Sequence, residues 1–178
     1  MAKLVVVEGV SRTGKTTICN YLQSAGFGKI VSVPKDIKMP DDLDLYSYYR
    51  GMFVYSREIF KNSKDSFILD RSFLSELVYS KTLNRTVTYR GTELEDFLKE
   101  NEIYLFMLTN SYDDYLKRNP ADKTITYTKE QYESLLDNFD LYFNQYSKYV
   151  KKSERLNTSR WPVRECIDRI VQSLIYKI

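Results

Sequence analysis

Apolar runs and amphipathic stretches alternate along this chain, and the two patterns predict different elements. Leu4-Val5-Val6-Val7 and Ile103-Tyr104-Leu105-Phe106-Met107-Leu108 are apolar throughout. Strands buried on both faces read this way, which places strands over about 3–8 and 103–108. Shorter apolar runs at Ile30-Val31-Ser32-Val33, stopped by Pro34, and at Phe67-Ile68-Leu69, ending at Asp70, predict two more. Leu156-Asn157-Thr158 reads as a fifth. Between them the spacing turns helical. Residues 14–24 form a helix that stops at Gly26-Phe27-Gly28. Leu45, Tyr48, Met52, Tyr55 and Ile59 share one stripe across 41–62. Helices follow over 73–83 and 93–101. Thr128 and Gln131 make a capping box that opens a helix running to about Lys151. Tyr132, Leu135, Leu136, Phe139, Tyr142, Phe143 and Tyr146 line one side of it. Pro162 sits in first-turn position ahead of a last helix carrying Val163, Ile167, Ile170, Val171, Leu174 and Ile178. Lys117 to Tyr127 lacks periodicity, contains Pro120, and reads as a loop able to close over a ligand.

Strand–helix alternation of this kind predicts an α/β fold with a five-stranded parallel sheet flanked by helices. At 178 residues the expectation is one domain, 1–178, with 117–127 as its lid.

Composition narrows the chemistry. The chain has no histidine, which excludes a histidine base, a Ser-His-Asp triad and a histidine-bound zinc site. The net charge of +3 comes from scattered Lys and Arg rather than from one dense cluster, so extended nucleic acid is not the expected partner. No apolar run approaches a membrane span, and Met1-Ala2-Lys3 leads straight into the first strand, so no secretory signal is expected. Cys19 and Cys166 stand far apart on predicted helices, as reduced core residues do. These features predict a cytoplasmic protein.

Gly9-Val10-Ser11-Arg12-Thr13-Gly14-Lys15-Thr16 fits G-x-x-x-x-G-K-[ST], and it lies where strand one passes into helix one. Backbone N–H groups of such a loop turn inward around phosphate oxygens, and the helix N-terminus adds partial positive charge. Lys15 then reaches the β- and γ-phosphates, and the Thr16 hydroxyl holds Mg²⁺. Gly9, Ser11, Thr13, Gly14, Lys15, Thr16 and Thr17 are the expected nucleotide-binding set. Asp70-Arg71 closes the third strand on the same rim of the sheet, where ligands of open α/β sheets bind. Asp70 can hold Mg²⁺, and the Arg71 fork can clamp phosphate oxygens.

These residues resemble a known family. The segment Glu8 to Thr17 is similar to the loop of thymidylate kinases, in the type with an arginine inside the loop. Asp70-Arg71-Ser72-Phe73-Leu74-Ser75-Glu76-Leu77-Val78-Tyr79 resembles that family's second motif, with its spaced serine and aromatic. Arg50 resembles the arginine that grips the acceptor monophosphate, and 156–159 the strand and loop that pass the adenine of ATP. Deoxynucleoside kinases share the architecture. Their acidic-Arg-Ser motif is similar to 70–72, and their basic closing loop is similar to 115–119. Ser11 stands where the arginine-loop type carries an Asp, and Ser72 where an aromatic is usual, so the acceptor stays open between a monophosphate and a nucleoside.

The resemblance implies phosphoryl transfer from ATP with Mg²⁺ to a small nucleotide or nucleoside, dTMP first. A homodimer through the long helices is common among such proteins and is expected here on that ground. Lys15, Arg12, Asp70 and Arg118 are the expected catalytic set, with Lys117 and Lys123 as further lid cations. Thr16 and Asp70 are the expected metal pair. Arg71, Arg50, Lys35, Asp36 and Tyr79 are the expected acceptor-binding residues. A monophosphate is already an anion and needs cations rather than a base. A nucleoside hydroxyl needs a carboxylate, with Asp36 first and Glu8 or Asp70 behind it. A GTPase would require Asn-Lys-x-Asp, and 62–65 carries related residues at the wrong spacing.

Overall fold

The structure, a computed structural model, describes residues 2–32, 60, 62–82, 91–118 and 126–176. Five strands form its sheet: β1 (Leu4–Gly9), β2 (Lys29–Ser32), β3 (Phe67–Asp70), β4 (Ile103–Thr109) and β5 (Lys152–Asn157). The order is β2-β3-β1-β4-β5 and every neighbouring pair is parallel. The apolar strands sit in the middle because only central strands lose solvent on both faces. Successive side chains point to opposite faces, so β1 and β4 each feed two cores. Leu4, Val6, Ile103, Leu105 and Met107 enter one. Val5, Val7, Tyr104, Phe106 and Leu108 enter the other.

Helices cover both faces. The first core is closed by α2 (Phe73–Thr82), α3 (Gly91–Glu100), α4 (Tyr112–Lys117) and α5 (Lys129–Tyr146). The second is closed by α1 (Lys15–Ser24) and α6 (Val163–Ile175). Cys19 and Cys166 are both free and buried in the second core. No helix among the described residues is long and apolar enough to cross a membrane.

The capping box of α5 forms as the sequence predicts. The Thr128 N–H donates to Gln131 Oε1 at 2.9 Å and the Gln131 N–H donates to Thr128 Oγ1 at 3.3 Å. Three boundaries differ from expectation. The α5 helix ends at Tyr146, not near Lys151. One 3₁₀ turn, Ser147–Tyr149, follows it, and the Lys151 N–H then donates to Ile103 O, so pairing with β4 takes the chain out of the helix. Consequently β5 begins at Lys152, four residues before the expected strand. Its first residues are charged because it is an edge strand with solvent beside it. Lastly, α4 fills 112–116, to which the sequence pattern assigned no element, and takes in Lys117, the first residue of the expected loop. Ser111 caps it by accepting from the Asp114 N–H, with Asp113 and Asp114 in the first turn. The helix expected over 41–62 lies outside the described residues except for Phe60 and Asn62, both helical.

Candidate nucleotide site

At the C-terminal ends of β1 and β3, connections leave toward opposite sides of β1, the position where open α/β sheets bind ligands. Gly9 ends β1 with φ +129°, and a Cβ there would stand 2.0 Å from Leu108 O. Only glycine lets the loop leave the sheet this close to β4. Gly14, at φ +88°, is the N-cap of α1. Between them the loop folds over its own lysine. The Lys15 Nζ donates to Val10 O and, at 3.2 Å, to Thr13 Oγ1. Lys15 is only 6% exposed. Burial pushes its pKa well below the usual lysine value, and the Arg71 guanidinium pushes the same way.

Thr16, in the first turn of α1, donates its hydroxyl to Asp70 Oδ2 at 2.7 Å. The two expected metal residues therefore meet. They offer two hard oxygens beside a phosphate-type loop, and Mg²⁺ takes one or two protein oxygens together with phosphate oxygens, so the donor set fits that ion.

Arg71 joins the two motifs. Its backbone is left-handed at φ +73°, and its N–H donates to Val7 O at 3.1 Å. The guanidinium then reaches across. Nη1 donates to Gly9 O (3.0 Å), Ser75 Oγ (3.2 Å) and Tyr79 OH (3.4 Å), and Nη2 donates to Ser11 Oγ (3.2 Å). Four expected site residues, Gly9, Ser11, Arg71 and Tyr79, thus form one connected group.

Arg12 is also left-handed, at φ +65°, and turns away from that group. Its guanidinium lies 4.2 Å from the centre of the Tyr115 ring and donates to Tyr115 O at 3.2 Å. Tyr115 is packed among Tyr112, Tyr127 and Tyr132, with ring centres 5.9, 6.1 and 4.8 Å away. The Tyr132 hydroxyl contacts Asn110 Oδ1 at 2.6 Å, and Asn110 Nδ2 donates to Arg12 O at 3.5 Å. Sequence reasoning placed Tyr132 in a packing stripe, Tyr115 in the segment likened to a closing loop and Tyr127 at the end of the loop, and missed their hold on the loop arginine. Their signal is weak, because a stripe of tyrosines at helical spacing reads as ordinary core.

Arg118 lies apart from the phosphate loop contacts. It caps the C-terminal end of α4, and its fork grips the turn after β5, with Nη1 donating to Thr158 Oγ1 (2.9 Å) and Nη2 to Thr158 O (2.8 Å). Ser159 beside it holds α4 as well, through the Ser111 N–H at 2.8 Å. Glu8, one of the fallback bases, has its oxygens taken by four donors from Ser72 and Ser75. Lys35, Asp36, Arg50 and Lys123 lie outside the described residues.

No protein-family model matches the chain, and no curated protein matches it in sequence. Solved structures do match in shape. The YorR protein of Bacillus subtilis, in complex with phosphorylated GDP, aligns over 96% of this chain and 95% of its own at TM-score 0.70 and 16% identity. Thymidylate kinase from Candida albicans covers 97% and 91% at TM-score 0.64 and 15% identity. Deoxyadenosine kinase from M. mycoides with bound dATP covers 97% and 100% at TM-score 0.61 and 18% identity. With its all-parallel sheet and the glycine loop at the end of β1, the chain has the P-loop NTPase fold, in the form that these structures share.

Proposed function

We propose that the protein is an ATP-dependent kinase of deoxynucleoside monophosphates, with dTMP as the first acceptor to test. The observation that carries this is the 2.7 Å meeting of Thr16 with Asp70, beside an arginine that ties the phosphate loop to α2. Phosphoryl transfer spreads negative charge over the moving group, and catalysis comes mainly from placing cations and N–H donors around it. Lys15 and the loop amides take the β- and γ-phosphates. Thr16 and Asp70 hold Mg²⁺, which when bound offsets phosphate charge. Arg12 bridges donor and acceptor phosphates after leaving Tyr115. Arg71 and Tyr79 line the acceptor side together with Arg50, Lys35 and Asp36. Arg118 works from the donor side, through Thr158.

The preference for a monophosphate rests on the carboxylates. Glu8 is saturated by serine donors and Asp70 is engaged by Thr16, so neither stands ready as a base, and an anionic acceptor needs none. The alternative is a deoxynucleoside kinase with Asp36 as base. Ser11 and Ser72 favour it, since both depart from the thymidylate kinase pattern. Coupled measurement of ADP release with each deoxynucleoside and each monophosphate separates the two. Turnover of a monophosphate alone is expected. Turnover of nucleosides alone overturns the first reading, and no acceptor-dependent turnover overturns both.

A further inference from the structure

Glu8 is a charged residue in an otherwise apolar strand and is 0% exposed. A buried carboxylate persists only where hydrogen bonds replace water. Here Oε1 accepts from the Ser72 N–H (2.7 Å), the Ser72 hydroxyl (3.0 Å) and the Ser75 N–H (3.2 Å), and Oε2 accepts from the Ser75 hydroxyl (2.5 Å). Ser72 immediately precedes α2 and Ser75 lies in its first turn. The helix is therefore capped from a neighbouring strand, and its N-terminal dipole faces a negative charge.

The capped turn follows directly on Asp70, the last residue of β3, and Arg71. Arg71 holds a left-handed backbone that a residue with a Cβ adopts only when its surroundings fix it. The bond from Ser72 N to Glu8 fixes the peptide immediately after it. On the side-chain level, Ser75 donates its proton to Glu8 and turns a lone pair to Arg71 Nη1 at 3.2 Å. A carboxylate enforces that direction because it can only accept. Glutamine cannot reproduce this pattern. With its amide nitrogen toward Ser72, it faces two backbone N–H donors. Turned the other way, it donates to Ser75, whose proton loses its acceptor at position 8 and is no longer held in that direction.

We infer that Glu8 is a positioning residue for the Mg²⁺–nucleotide site: through Ser72 and Ser75 it sets Asp70 against Thr16 and Arg71 against Ser11. The inference rests on the site proposed above, and the experiment separates the two. ATP binding is titrated calorimetrically with and without Mg²⁺ in the wild type, Glu8→Gln and Ser75→Ala, at a temperature where circular dichroism shows each variant folded. The wild type gains affinity when Mg²⁺ is present. In Glu8→Gln that gain falls by about 10-fold, in the range for partners that orient metal ligands, while metal-free affinity stays within about twofold. Ser75→Ala loses part of the gain and carries the test if Glu8→Gln does not fold. A folded variant that melts earlier but keeps the full Mg²⁺ gain overturns the inference and makes Glu8 a helix cap alone. Absence of ATP binding in the wild type overturns the nucleotide site itself.

Discussion

At the proposed nucleotide site, Lys15 is the residue whose charge would tell the free form from the loaded one. Its ammonium is buried among loop oxygens and next to Arg71, which disfavours the charged form. A bound triphosphate brings the opposite charge and favours it again. Nucleotide binding therefore takes up a proton wherever the pH lies between the free and loaded pKa values, and affinity falls as pH rises toward the ordinary lysine value. Calorimetry in two buffers of different ionisation enthalpy, repeated as the pH is raised toward the ordinary lysine value, should show this uptake, and proton release would contradict it. The linkage to folding has a definite sign. Unfolded Lys15 binds its proton more tightly, so its burial costs stability at lower pH and the cost fades as pH climbs toward that same value. The lysine, both glycines and Asp70-Arg71 were legible in the sequence because their spacing matches a phosphate-loop pattern and a strand end. The contacts of Arg12 were not, since a ring stacked from over 100 residues away leaves no local pattern.

Helices and strands were readable to the extent that burial imposed a period. Both faces of β1 and β4 are buried, and they stand out as unbroken apolar runs. At the sheet edge, β5 is only partly covered, and its opening Lys-Ser-Glu-Arg is written for solvent. The short α4 has six residues and no full stripe, though Ser111 with Asp113 and Asp114 is a capping signal in plain view. That helix carries a functional expectation. Its terminal Arg118 holds the turn after β5 by two bonds at once, which a lysine cannot reproduce. Arg118→Lys should weaken ATP binding by about 10-fold, the loss of one or two charge-assisted bonds, with a smaller effect on kcat. Steady-state kinetics with ATP varied will check it. A fall confined to kcat would return Arg118 to the transferring phosphate.

Across the whole molecule, the proposed site is a seam between the two cores. Its loop springs from β1, its carboxylate from β3, and its helices pack on opposite faces of the sheet. A ligand that binds this seam only when both halves are formed must stabilise the entire fold. At about 100 times its Kd, Mg·ATP should add ~2.7 kcal/mol and raise Tm by about 5–10 °C for a chain of this size. Lys15→Ala should remove most of that shift, while the unliganded protein stays folded with a Tm no lower than about its starting value, since the buried charge is gone. Differential scanning fluorimetry reads both, and an equal shift in the variant would place the nucleotide elsewhere.

The central place of β1 also bears on how the protein is made. Its partners are β3, which starts at Phe67, and β4, which starts at Ile103. During synthesis at ~5–20 residues per second, the first strand leaves the ribosome and waits about 3–12 s before either neighbour exists. Throughout that interval Leu4-Val5-Val6-Val7 is an oily ribbon with nothing to pair with, so the newborn chain is most vulnerable to clumping well before its sheet can close.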